Sequence, residues 1–206
     1  AEAGLFTKLE LMLSHLLVTL QDPQPSFRAK TVKQLAAIVR ADSETLKLQN
    51  VTRAVQGALQ DSSIAVREAT LDVLGQFIVL RPEFADHYYD TIVKRLNDNG
   101  ISVRKRVIKI MRDLVVKQPN GKRAVDICCR LVSRISDEDE VHKLVLRTFQ
   151  ELWFAPPASD STELASDNAA ARCDQMIGVV AAAGTTAQRS GWLQELLHRL
   201  LEPPEG

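Results

Sequence analysis

Cysteine is scarce in this 206-residue chain, and what there is forms no framework. Cys128 and Cys129 are adjacent, Cys173 stands alone, and no C-x-x-C occurs. That excludes a disulfide scaffold and a thiolate zinc site, and leaves buried free thiols in a reducing compartment as the expectation. Aromatic residues make up only 5% of the chain, while Leu, Val, Ala and Ile dominate. Such a balance suits many small helix–helix contacts better than a sandwich or a barrel. Glycine and proline number 9 and 8 and fall mostly between periodic stretches, which argues against disorder over most of the length. No apolar run approaches the roughly 18 residues that a membrane-spanning helix needs, so no membrane partner is expected. The opening AEAGLFTKLELML lacks a basic stretch, so no signal peptide is read there.

The signatures of catalysis are missing as well. There is no G-x-x-x-x-G-K-[ST], no G-x-G-x-x-G and no G-x-S-x-G. His15, His87, His142 and His198 are isolated, with no H-x-x-x-H and no cysteine companion. The run Asp137-Glu138-Asp139-Glu140 lacks calcium-loop spacing; acidic residues opening a helix, where the dipole favours them, explain it more simply. No catalytic residue, no metal site and no cofactor can be named, and a non-catalytic protein is expected.

Net charge is absent only in the sum, 26 basic against 26 acidic groups. Residues 98–134 carry 10 basic and 3 acidic groups, whereas 135–206 carry 5 and 12. A basic segment followed by an acidic one speaks about partners or self-association rather than fold.

What the chain does contain is one pattern written several times. DPQPSFRAKTVKQLAAIV begins at Asp22, DSSIAVREATLDVLGQFIV at Asp61 and DNGISVRKRVIKIMRDLVV at Asp98. Each has an arginine six positions after the aspartate (Arg28, Arg67, Arg104), then apolar residues seven and ten positions further on: Leu35 and Ile38, Leu74 and Phe77, Met111 and Leu114. A degenerate fourth copy, DEDEVHKLVLRTFQELWF, starts at Asp137, with His142 near the arginine position. The starts lie 39, 37 and 39 residues apart, and a period near 40 built from two helices is the signature of a solenoid.

The intervening stretches supply the second helices: 5–20, 43–60, 82–96 and 122–135. Thr7-x-x-Glu10 fits a capping box, Pro82 suits a first helical turn, and Pro119-Asn120-Gly121 suits a turn. After Trp153-Phe154, a loop over 155–161 separates two more helices, about 162–183 and 187–202, with Thr185-x-x-Gln188 as a second capping box. The expected fold is all-α. Residues 1–154 form four antiparallel pairs (about 5–40, 43–80, 82–117 and 122–154), and 162–206 add a pair that continues the solenoid.

The aspartate–arginine spacing with apolar positions behind it is the HEAT-repeat pattern. Over 61–154 the likeness narrows. VREA, RPE…YYD, GISVRKRVIKI and LWF-x-P together resemble the HEAT region of the large subunit of the cohesin loader, the Nipped-B-like family. The resemblance weakens over 5–60 and is loose over 162–202. It implies a nuclear scaffold that helps load cohesin onto chromatin, with cohesin subunits and double-stranded DNA as partners. A HEAT scaffold of another large assembly, holding a peptide or protein ligand on the solenoid surface, is the alternative that the fold alone leaves open.

The candidate site lies in GISVRKRVIKIMRDLVVKQ. On a helix, Val103, Val107, Ile110, Met111 and Leu114 share one face, and Arg104 falls inside it, in phase with Arg28 and Arg67. A buried arginine needs a partner, and Asp22, Asp61 and Asp98, within or between repeats, are the expected rungs of a ladder. Lys105, Lys109 and Arg112 fall on the opposite face, flanked by Arg106 and Lys117 and extended by Lys122 and Arg123. The matching positions elsewhere are Ala29, Lys33 and Ala36, or Glu68, Asp72 and Gly75, so the repeat itself does not demand cations there. Two readings stand: an ordinary solvated face, or a surface for nucleic-acid phosphates or an acidic protein partner. With no interleaved aromatics, backbone contact without base reading is all that such a surface supports. Trp153 and Phe154 read as a core cap or as an exposed aromatic docking point.

Overall fold

A computed structural model describes residues 2–81, 85–155 and 162–202. Among them the regular elements are helices: α1 (Glu2–Thr19), α2 (Pro25–Ala41), α3 (Gln49–Ala58), α4 (Ile64–Leu80), α5 (Ala85–Lys94), α6 (Ile101–Lys117), α7 (Ala124–Val132), α8 (Asp139–Phe149), α9 (Thr162–Ala183) and α10 (Ala187–Leu201). The fold class is that of an all-α, HEAT-type helical repeat. Two compact units divide at Val107, within α6. Pro82 and most of the 155–161 loop lie outside the described residues.

The repeated pattern explains the core of each unit. The six apolar positions that follow the arginines are all buried, because spacings of three and four residues keep them on one helical face. In residues 1–107, α2 and α4 pack side by side, with Leu35, Val39, Leu71, Leu74 and Ile78 excluded from solvent. In residues 108–206, α7 packs on α9 and α10, and Leu131, Phe149, Val179 and Leu196 are buried there. Gly178 permits that approach: a Cβ built on it would lie 2.8 Å from Val125 Cγ2.

The ladder forms, and Arg28 and Arg67 each use two repeats at once. The Arg28 guanidinium donates to both Asp61 carboxylate oxygens at 2.7 Å and to its own repeat's Asp22 carbonyl at 2.7 Å. Arg67 repeats the arrangement, with Asp98 at 2.6 and 2.8 Å and the Asp61 carbonyl at 2.7 Å. Each aspartate also accepts a main-chain N–H two residues on: Gln24 for Asp22, Ser63 for Asp61 and Gly100 for Asp98. Arg104 donates to the Asp98 carbonyl at 2.6 Å. The sequence pattern leaves open whether partners lie within or between repeats; carbonyls come from within and carboxylates from the following repeat. In the fourth copy His142 takes a similar role, its Nδ1 donating to the Ile135 carbonyl at 2.5 Å.

Four local expectations need correction. Residues 43–60 are not one helix: Ser43–Lys47 form a 3-10 turn, and Leu48 is extended before α3 begins. Leu46 is fully buried there, and its carbonyl accepts the hydroxyls of Thr52 and Tyr88 at 2.9 and 2.8 Å, so side chains replace the helical bond that the break gives up. Thr7 is no cap, because α1 already starts at Glu2. The cap of α10 is Thr186, which accepts the Arg189 N–H, while the Thr185 hydroxyl turns back to Ala182. Only Cys128 of the three cysteines is buried; Cys173 is exposed.

Candidate functional site: the basic helix and its neighbours

The sequence of α6 sorts its side chains by angle. Val103, Val107, Ile108, Ile110, Met111, Leu114 and Val115 are buried, and so is Arg104. At 100° per residue the opposite face centres on Lys109 and spans Lys105, Arg106, Arg112, Asp113 and Val116. Lys109 and Lys117 are exposed, Lys105, Arg106 and Arg112 half-buried. Val116 is 59% exposed among these cations.

Not all of this charge is available to a partner. Arg106 reaches back to α4, with Nε 2.7 Å from Asp72 and Nη1 3.0 Å from Glu68. Arg112 pairs with its neighbour Asp113 at 2.8 Å and with Glu151 at 3.2 Å, in the single π turn Gln150–Phe154 that follows α8. Lys105 and Arg123 are half-buried and engaged within the protein. Lys109, Lys117 and Lys122 are exposed and make no ion pair among the described residues. The surplus therefore divides into side chains engaged within the protein, Lys105 among them, and the three lysines Lys109, Lys117 and Lys122.

The acidic partners are written in the repeat. Glu68 and Asp72 occupy in α4 the positions that Lys105 and Lys109 occupy in α6, and one helix's acids face the next helix's bases. The aromatic pair splits: Trp153 is buried and packs on Phe149 with ring centroids 4.5 Å apart, whereas Phe154 is 54% exposed. Tyr88 and Tyr89 are buried. His198 sits 3.0 Å from Glu202 on the exposed end of α10.

The ladder's electrostatics are those of satisfied ion pairs. Burial alone would raise the Asp98 carboxyl, but Arg67 and the Gly100 N–H hold it below the usual carboxylate range. Asp61 behaves alike, with burial overcome by Arg28 and the Ser63 N–H. Burial pushes the Cys128 thiol up to about 12, leaving it inert. Among the described residues no group of three or more His, Cys, Asp or Glu side chains gathers as metal ligands, and no helix is long and apolar enough to cross a membrane.

Comparison with known proteins bears on what is recognised. Residues 7–150 match the family model of non-SMC mitotic condensation complex subunit 1. The chain is 37% identical over 196 residues to Nipped-B-like protein A of Danio rerio, a match covering 95% of this chain and 8% of that protein. Nipped-B-like protein of Homo sapiens is 37% identical over 196 residues, covering 95% and 7%. Sister chromatid cohesion protein mis4 of Schizosaccharomyces pombe is 30% identical over 165 residues, covering 77% and 10%. The chain thus spans less than a tenth of the first two relatives. Among solved structures, the crystal structure of an engineered protein superimposes with a TM-score of 0.52 at 14% identity, covering 90% of this chain and 95% of that one. That likeness concerns the fold alone.

Proposed function

The chain belongs to the Nipped-B-like family, and from that premise we propose that it is a non-catalytic segment of a nuclear cohesin loader, engaging an acidic partner through the free lysines of the α6 region. Family membership supports the loading role. The finer reading is carried by one observation: Lys109, Lys117 and Lys122 are exposed and unpaired among the described residues, while the arginines beside them are consumed by the fold.

Two partners fit such lysines, a DNA backbone and an acidic surface on a cohesin subunit. Phosphate contact is sequence-independent and falls steeply with salt. In the triple variant Lys109→Glu, Lys117→Glu, Lys122→Glu, duplex binding should weaken and its log–log salt slope become shallower by about 3, at about 0.9 per contact. An unchanged slope overturns the DNA reading. The protein reading has its own support, because Asp113 and Glu151 lie beside Arg112 and Val116 is exposed on the same helix. Mixed charge around an apolar residue suits a protein interface better than a polyanion. Loss of cohesin-subunit capture by the same variant, with duplex binding intact, would select it.

A further inference from the structure

The fold accounts for only part of the acidic run Asp137–Glu140. Asp139 and Glu140 lie in the first turn of α8, where the helix dipole favours them. Asp137 holds the repeat's aspartate position, and its Oδ1 accepts the Glu138 N–H at 2.7 Å. Glu138 stands at the N-cap position and makes no side-chain cap bond. The other copies do without such a run: in the first three, the three residues after the aspartate include no acid. The residue before the aspartate is Gln21, Gln60 or Asn97 in those copies and Ser136 in the fourth. A hydroxyl ahead of the aspartate and acids behind it therefore occur together, in one copy, without the repeat requiring either.

A second observation concerns access. Ser136 is exposed in the turn that joins α7 to α8, and its hydroxyl makes no hydrogen bond among the described residues. Glu138, Asp139 and Glu140 are exposed with it. Two other hydroxyls with an acid three positions downstream are withheld by the fold. Thr148, ahead of Glu151, is fully buried, and Thr19, ahead of Asp22, is half-buried in α1 and donates to the His15 carbonyl at 2.9 Å. Ser133, in the same turn as Ser136, is half-buried and donates to the Arg130 carbonyl at 2.7 Å.

We propose that Ser136 is the phosphate acceptor for an acid-directed protein serine kinase, with ATP as the donor. Ser136 Oγ attacks the γ-phosphorus, the bond to the bridging oxygen of the departing ADP breaks, and the hydroxyl proton passes to the kinase's base. The kinase class follows from charge. A substrate groove lined with lysine and arginine reads carboxylates placed after the hydroxyl, whereas a groove lined with acids, made for arginine-led sites, is repelled by them. The product carries about 1.5 to 2 further negative charges at neutral pH. They fall beside Asp137 and two residues from Arg134, which pairs with Asp137 at 3.7 Å. Residues 135–206 already hold 12 acidic groups against 5 basic, so the modification steepens the chain's charge asymmetry.

The test treats the full chain, first dephosphorylated, with magnesium ATP and either casein kinase, which is acid-directed, or cyclic-AMP-dependent kinase, which is arginine-directed. Tandem mass spectrometry of the peptide spanning Ser136 reads the site and its rate of filling. Casein kinase should fill Ser136 in the folded chain, at least tenfold faster than the arginine-directed enzyme, and Ser136→Ala should abolish the signal. The triple variant Glu138→Gln, Asp139→Asn, Glu140→Gln should slow filling at least tenfold, and Asp139→Asn alone, a milder change to the start of α8, should slow it severalfold with the circular dichroism unchanged. Phosphate on Ser133 or another hydroxyl with Ser136 untouched overturns the proposal. So does an undiminished rate in both acid-depleted variants. Filling of a synthetic peptide of residues 130–145 but not of the folded chain overturns it as well, because the turn would then withhold the hydroxyl.

Discussion

Replacing Asp98 by asparagine probes the most buried contact of the ladder. Asp98 and Arg67 are 5% and 4% exposed, and the substitution leaves the volume, the turn and the Gly100 cap in place. What it removes is the charge that Arg67 meets at 2.6 and 2.8 Å. The guanidinium keeps the carbonyls of Asp61 and Ser62 and the Asn99 side chain, all of them neutral acceptors. A buried cation stripped of its counter-charge typically costs about 3–5 kcal/mol. At roughly 2–4 °C per kcal/mol for a chain of this size, the thermal midpoint should fall by about 10 °C. Urea unfolding followed by circular dichroism measures the loss, and Arg67→Met in the Asp98→Asn background should recover much of it, because only the partly exposed Arg95, 3.2 Å from Asp98, then lacks that counter-charge. The double-mutant cycle isolates the coupling. A loss under about 1 kcal/mol for Asp98→Asn, or no recovery on adding Arg67→Met, would refute the view of this rung as a mutually dependent buried pair.

Three further outcomes are expected. Acid should weaken the ladder: Asp61 and Asp98 have folded-state pKa values below their unfolded ones, so their contribution is complete above about pH 4 and is lost as pH falls through the folded values; stability that stays flat down to pH 2 would contradict this. Gly178→Ala should destabilise by roughly 1–3 kcal/mol despite alanine's better helix propensity, because its Cβ would meet Val125 at 2.8 Å, and Val125→Ala should relieve the clash; urea midpoints decide. Towards an aromatic disulfide reagent under native conditions Cys173 should react fast and Cys128 only on unfolding; equal rates would place Cys128 at the surface.

The helices that sequence reading located well are those whose apolar stripe repeats, α2, α4 and α6, since their period is set by one buried face. It failed where a local element answers to a distant one. Leu48 breaks the 43–60 stretch because Tyr88, some forty residues away, supplies a hydroxyl to the Leu46 carbonyl. Thr185 and Thr186 are chemically equivalent caps, and only the helix's start distinguishes them. The basic face is visible as charge, but its division into engaged side chains and the three exposed lysines Lys109, Lys117 and Lys122 depends on which acids of α4 and of the π turn come within reach. Composition cannot express that, although the matching repeat positions of Glu68 and Asp72 hinted at it.

The rungs described above run one way: each pair extends a cation forward and holds an anion for the pair behind. Such an array has a heading, as an arrow does. Duplicating or deleting one whole pair inside it leaves every interior charge matched, whereas cutting within a pair strands an arginine or an aspartate in the core. Growth by entire repeats is therefore electrically silent, and a rung is opened only at the termini of an array. Those termini are where lengthening, splicing or capping would register first.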